Sequence, residues 1–560
     1  MKLFRNHLTM PNFTIKQGGL FYCYTTPVEQ MRKIDTFLSL LEESGIAEIL
    51  KNVEKQAGLG RPSFDPYAMF ATIVYGFSVG SPTLRELEDS CLYDIRFKYL
   101  MNDETPDYSS FSRFINAYIK PNADLIFSLI TKVYLKYCRL CVDECHIDGT
   151  KFEAKPNKYK VVWKPTTYHA KLSDKVRSLL SELQLTKDVP TEGVIPSSII
   201  ASKLKQASDL AKSHLDDRKV WDRKLKELTK YLSKSLEYEE KNRICGPGRN
   251  SYYKTDHDAT AMCLKEDYYS GLGSNLHAAY QVQTVVSNGF IVAYYISQDR
   301  VDTHTFIPTL ERFNQAFGKY PKSITADSGY GCLENYQFCD EKGIEAYIKY
   351  QAWRGECSGR RPALYELNEN NTITCLAGRT GFEVQIPGRH HKQKESVFFE
   401  VKCMNRCPFK SYCRRFFKVK TGRTRVFDVH IRYRRYIQKA RDLLLSPKGI
   451  EMRVNRSCQV EGVYGITKWD MGYNRIRRVG INRISTEIML TYLGLNTRKL
   501  FKYLDGKDPF TYWKAPKDLQ AETFKKPSAK RIANRMATWK KRVKQPNEIA
   551  KASYRRKRKK

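Results

Sequence analysis

Two apolar, β-rich runs lie far apart in the chain, and each stops on an aspartate. In RLCVDECHIDGT the run ends on Asp148, followed at once by Gly149, and in KSITADSGYG it ends on Asp327. A carboxylate on a strand that otherwise enters a core is costly unless it is paired or binds a metal ion. Each aspartate alone also has a plain reading as a turn residue, because Asp-Gly and Asp-Ser favour turns. The constraint comes from the order of what lies between and after them. NLHAAYQVQTVVSNGFIVAYYISQ is a hairpin signal around Ser287-Asn288-Gly289. THTFIPTLERFNQAF has helical spacing, IEAYIKY is a further short strand, and helical sequence returns after residue 431.

Strand with an acid, hairpin, helix, strand with an acid and late helix resemble the RNase H-like α/β layout. In that layout adjacent strand ends hold two carboxylates close together. Like charges at that range repel or raise a pKa, and a divalent cation relieves the repulsion. Mg²⁺ (or Mn²⁺) suits such a site, because it takes hard oxygen ligands from one or two carboxylates and from substrate phosphate. The candidate third acid is Glu461, in the helical stretch SCQVEGVYGITKW, with Val460 and Val463 on its inner face. A surface helix carries many glutamates, so Glu461 draws its weight from its place in the order. Lys468 lies seven residues on, near the same face, and can hold a phosphate as a point charge. Two ions in such a site activate the attacking oxygen and stabilise the leaving one.

The chain has 560 residues and a net charge of +37. An excess of that size fits a polyanion partner, since Lys and Arg that neutralise phosphates release counterions. A solvated basic surface is the plain alternative. With 41% hydrophobic residues the chain can bury a core. No run is long and apolar enough for a membrane span, and MKLFRNHLTMPNF lacks a signal-peptide core. A reducing, cytoplasmic setting is expected for its 15 cysteines.

The expected organisation is an all-α N-terminal domain over 1–135, the start of the α/β core over 136–165 and an inserted helical hairpin over 166–245. The core resumes over 246–352, a Cys-rich insertion fills 353–430, C-terminal helices of the core cover 431–505, and a basic tail covers 506–560. In the N-terminal part, SPTLRELEDSC predicts a helix capped by Ser81 with Pro82 in its first turn. Short helices in series there suit either a helix-turn-helix-like DNA-binding module or a plain packing bundle. Pro190 and Pro196 divide the inserted segment into a shorter and a longer helix.

HIDGTKFEA, ITADSGYGCLENY and QVEGVYGITK together resemble the three acidic blocks of bacterial insertion-sequence transposases of the DDE type. FDPYAMFATIVYG, SPTLRELE and TPDYSSFSRF resemble the wording of the helical N-terminal domain of one branch, which also carries a cysteine-containing insertion before the last acid. The resemblance runs from about residue 30 to about residue 500. It implies DNA cleavage and strand transfer at element ends, with Asp148, Asp327 and Glu461 holding two Mg²⁺ ions and Lys468 beside them. It also implies terminal inverted repeats and target DNA as partners, a homodimer that pairs two ends, and a nucleoid-associated bacterial protein. Related transposases carry an arginine four residues before the glutamate. That position is Ser457, and Arg456 is one residue off. Asp258, in TDHDATAM, matches a recurring Asp-rich block and is expected to be structural or to contact DNA.

Cys375, Cys403, Cys407 and Cys413 form C-x27-C-x3-C-x5-C, a candidate tetrahedral Zn²⁺ set. Cys357, His390 and His391 are further candidates, and free thiols are the alternative. The tail ends YRRKRKK, so Arg555, Arg556, Lys557 and Arg558 are candidate phosphate contacts beside Arg456 and Lys468. Two other functions fit the same residues: a transposase-derived protein that binds DNA without cutting it, and an RNase H-like nuclease.

Overall fold

The computed structural model describes residues 28–51, 64–80, 82–213, 218–265, 267, 275–359, 361–386, 390, 395–414, 424–525, 528–530 and 534. Ser81, His391 and the basic run Arg555, Arg556, Lys557 and Arg558 lie outside the described residues. The fold is mixed α/β.

The strands follow in chain order: β1 (Glu144–Glu153), a short ribbon β2 (Val161–Trp163) and β3 (Ser251–Tyr253), then β4 (Thr260–Met262), β5 (His277–Ser287), β6 (Phe290–Ser297), β7 (Ser323–Ala326) and β8 (Glu345–Ile348). In the central sheet β1 lies between β5 and β7. It pairs antiparallel with β5 and parallel with β7, and β7 pairs parallel with β8. β6 and β4 both pair antiparallel with β5. The β5–β6 turn is tight because Asn288 and Gly289 both take positive φ, 50° and 73°, which a two-residue hairpin of the primed type demands.

β1 differs from expectation. The sequence reading ends the strand at Asp148-Gly149, whereas the strand runs on to Glu153. The cause is β5, which pairs with β1 at every position from His146 to Glu153, so the Asp-Gly pair stays in the ladder.

The helix Ile481–Leu504 ties the N-terminal helices to the sheet. It packs along the helix Pro66–Val79, and Gly494 lies against the backbone of Phe77. From its other side Asn496 accepts from the Ile291 amide at 2.9 Å and donates to the Ile291 carbonyl at 2.8 Å. One continuous core results, running from Phe37, Phe70 and Ile73 through Leu493 to Val282 and Ile324. The helix Pro66–Val79 is buried over nearly its whole length, so it serves packing. The helix Leu84–Tyr93 is capped by Thr83, not Ser81. TLRE is a capping box, in which Thr83 accepts from Glu86 N–H and Glu86 accepts from Thr83 N–H.

The inserted segment holds three helices, Thr166–Glu182, Ser197–Ser213 and Arg218–Cys245, where the sequence suggests a two-helix hairpin. They bury a core of their own that includes Val176, Leu180, Ile200 and Leu228. Arg177 closes the loop between the first two by donating to the carbonyls of Pro190 and Gly193. Residues 353–430 form a second sheet: β9 (Tyr365–Leu367), β10 (Ile373–Cys375), β11 (Thr380–Glu383), β12 (Ser396–Lys402) and β13 (Thr424–His430), all antiparallel neighbours. Its core is small, centred on Ile373, Phe399, Phe427 and Val429.

Candidate active site

The register of β1 and β7 brings the first two acids together. His146 pairs with Thr325, so two residues on, at the same end of the sheet, Asp148 and Asp327 stand side by side. Each accepts from a backbone amide just after it in the chain. The Gly149 amide donates to Asp148 Oδ1 at 2.9 Å, and the Gly329 amide donates to Asp327 Oδ1 at 2.7 Å. Burial pushes the Asp148 carboxyl up to about 6. Arg456 opposes the rise, and the negative charges of Asp327 and Asp302 add to it.

Glu461 reaches the same place through Arg456. Arg456 Nη1 donates to Asp148 Oδ2 at 2.9 Å, and Nη2 lies 3.5 Å from Glu461 Oε1. A single guanidinium group thus separates Asp148 from Glu461. The local backbone explains the one-residue offset of this arginine. The helix Pro447–Arg456 continues as a π-helical turn, Ser457–Glu461, before α-helical Gly462–Gly465. A π turn takes up an extra residue, so Arg456 and Glu461, five apart, look out on one side. The Arg456 side chain is only 9% exposed, whereas that of Glu461 is 55% exposed.

Lys468 follows on a second π-helical turn, Ile466–Asp470. Its Nζ donates to the Lys151 carbonyl at 3.0 Å and lies over the Phe152 ring, so it sits along β1 just past Asp148. Among the described residues, no group of three or more His, Cys, Asp or Glu side chains is set to hold a metal ion. In this conformation the cation beside Asp148 and Glu461 is Arg456.

Several residues of this site were not found from sequence. Tyr464 donates to the Asp148 carbonyl at 2.6 Å and fixes the helix against β1. Asp302 lies beside Asp148 and Asp327, and burial, then Asp327, raise its pKa. Lys349 follows β8 opposite Asp327, one step beyond the Ala326–Ile348 pair. Burial, Arg456 and Arg453 lower its pKa, while Asp327 and Glu461 act the other way. A signal for Asp302 existed in QVQTVV: Gln281 and Gln283 are polar residues at alternate, buried positions of a strand, and such groups need a partner. Asp258 makes a structural link. It accepts from the Ile481 amide at 3.0 Å and from Gln298, joining the segment before β4 to the last long helix.

Two family models match the chain: Transposase DDE domain over residues 374–501, and Transposase domain (DUF772) over residues 26–117. Both models are of transposase domains, which supports an insertion-sequence transposase of the DDE type. The first match takes in the four cysteines from Cys375 to Cys413, Arg456, Glu461 and Lys468, and the second takes in the N-terminal helices. No curated protein and no solved structure matches the chain. No helix among the described residues is long and apolar enough to cross a membrane.

In the second sheet the four cysteines lie near one another. Cys375 ends β10, Cys403 follows β12, and Cys413 lies in the short helix Lys410–Arg414. Burial pushes the Cys413 thiol up to about 11, Arg425 opposes this, and Cys403, Cys407 and Cys375 raise it further. Cys357 lies elsewhere, beside Arg453 and Glu522. His390 is exposed.

Proposed function

We propose that this transposase cleaves and joins DNA at insertion-sequence ends on an RNase H-like sheet, with Asp148, Asp327 and Glu461 as the acids that hold two Mg²⁺ or Mn²⁺ ions. The observation that carries this reading is the placement of Asp148 on β1 and of Asp327 just past the neighbouring parallel strand β7, with Glu461 bound to the same arginine as Asp148. The strand order β6-β5-β1-β7-β8, antiparallel on one side of β1 and parallel on the other, supports the fold assignment.

The residues suit a hard divalent cation. They offer carboxylate oxygens; burial first, and then the negative charges of Asp327 and Asp302, raise Asp148, and a bound cation would offset both. Bound divalent ions would supply a nucleophilic oxygen and stabilise the leaving one in an in-line displacement at phosphorus. Asp148 and Asp327 are fixed by Gly149 and Gly329 amides and need no rearrangement of the sheet. Glu461 is exposed and long enough to turn from Arg456 toward them. Arg456, released by that turn, and Lys468 and Lys349 at the same edge then face the substrate as phosphate-binding cations. The excess of Lys and Arg gives affinity for the DNA backbone without sequence choice. The N-terminal helices and the basic tail are assigned to end binding, and a homodimer brings two ends together.

For the second sheet the proposal is a structural Zn²⁺ held by Cys375, Cys403, Cys407 and Cys413. Four soft thiolate donors suit zinc, and a sheet with so few core residues gains most from such a staple.

The decisive experiment is a Mg²⁺ cleavage assay on DNA carrying the element's ends. Asp148→Asn is expected to abolish strand cleavage and leave end binding intact. Cleavage at near wild-type rate by that variant refutes the assignment and favours a DNA-binding role for the chain.

A further inference from the structure

Asp302 lies between β6 and the helix Phe306–Phe317, and its carboxylate turns back onto the sheet beside the two aspartates. Two side-chain amides hold one of its oxygens. Gln281 and Gln283, alternate buried residues of β5, both donate side-chain amide N–H to Asp302 Oδ1, Gln283 at 2.9 Å. Tyr330, fully buried, donates its hydroxyl to the Gln283 carbonyl oxygen and so sets which end of that amide faces Asp302.

Two glycines make the room. A Cβ on Gly149 would fall 2.5 Å from Asp302 Oδ1. A Cβ on Gly329 would fall 3.0 Å from Asp327 Oδ1 and 3.1 Å from Asp302 Oδ2. The glycine after Asp148 is thus the floor under Asp302, and the glycine near Asp327 leaves space shared by both carboxylates. Asp302 Oδ2 accepts no hydrogen bond within the described residues. The loop itself does not need this carboxylate. Its turn is closed by the Asp302 backbone carbonyl, which accepts from Thr305 N–H at 3.1 Å and from Thr305 Oγ1 at 2.7 Å. A neutral residue would close it as well, and would not crowd a further negative charge against Asp148 and Asp327.

We infer that Asp302 is a fourth carboxylate of the cation site, with Oδ1 anchored by Gln281 and Gln283 and Oδ2 presented to the cation beside Asp327. This rests on the metal-dependent reading above. It assigns the glutamine pair and Tyr330 to positioning, since they act only through Asp302.

The test is Mn²⁺ binding by the full-length protein, followed by loss of the free-ion electron paramagnetic resonance signal. Wild type is compared with Asp302→Asn, Asp148→Asn and Asp258→Asn. Asp302→Asn is expected to weaken Mn²⁺ binding at least as much as loss of a partner behind a ligand does, about 10- to 100-fold, with Asp258→Asn unchanged. If Asp302→Asn binds like wild type while Asp148→Asn has lost Mn²⁺, the assignment of Asp302 falls and the metal site stands. If both variants bind like wild type, or wild type binds no Mn²⁺, the metal-dependent reading falls with it. A second measurement needs no variant. Fe²⁺ and ascorbate added to wild type should cut the backbone by local hydroxyl radicals near residues 148, 302 and 327, and cutting near 148 and 327 alone overturns the inference.

Discussion

Asp148→Asn should stabilise the cation-free transposase while it removes cleavage. Folding raises the Asp148 pKa from 3.8 to about 6, chiefly by burial, with the attraction of Arg456 already included in that value. A raised acid pKa means that the folded state prefers the protonated form. The stability this group contributes is therefore present in full below pH 3.8 and is lost as pH rises through about 6. At one pKa unit per 1.36 kcal/mol the loss above pH 6 is on the order of 3 kcal/mol. An asparagine has the shape of the protonated acid and no charge to bury, and its oxygen can still accept from Arg456. Asp148→Asn should therefore match wild type near pH 4 and exceed it above pH 6 by about 3 kcal/mol, with each kcal/mol worth about 2–4 °C in a unit of a few hundred residues. Thermal or urea unfolding in EDTA at pH 4.5 and pH 8 measures this. A variant no more stable than wild type at pH 8, or a gap that does not grow with pH, refutes the reasoning.

Gly494→Ala places a Cβ against the Phe77 backbone, where the last long helix crosses the helix Pro66–Val79. Overpacking of that kind costs about 1–3 kcal/mol, and urea unfolding with a probe in the N-terminal helices should show it. Protein purified without chelator should carry about one zinc per chain, and Cys407→Ser should lose it. Plasma emission spectrometry decides, and zinc-free wild type rejects the thiolate site.

The elements of the site were legible in the sequence where local pattern governs them. The β-rich runs before Asp148 and Asp327, the Asn288-Gly289 turn and the helical stretch around Glu461 all carry their own signals, and the order of these pieces pointed to the carboxylates. The extent of β1 was misjudged because Asp-Gly reads locally as a turn, while pairing along β5 keeps it extended. The serine-proline start points to Ser81 as the cap, whereas the helix begins two residues later, at the capping box of Thr83 and Glu86. The proline breaks in the inserted segment point to two helices; they mark the loop that Arg177 closes after the first helix, but not the second break, between Ser213 and Arg218.

The sequence by itself determined the chemistry on offer: spaced acids on β-rich and helical segments, a large cationic excess and four cysteines in one basic stretch. Those follow from residue identity and short-range periodicity. The tertiary structure alone decided who meets whom. The β1–β7 register sets Asp148 beside Asp327, a π-helical turn returns Arg456 to the face of Glu461, and a loop with no periodicity delivers Asp302 over Gly149. The first and last of these meetings join segments more than a hundred residues apart, and no local pattern encodes the partner of a strand; the π turn is local, but periodicity alone reads it as ordinary α-helix.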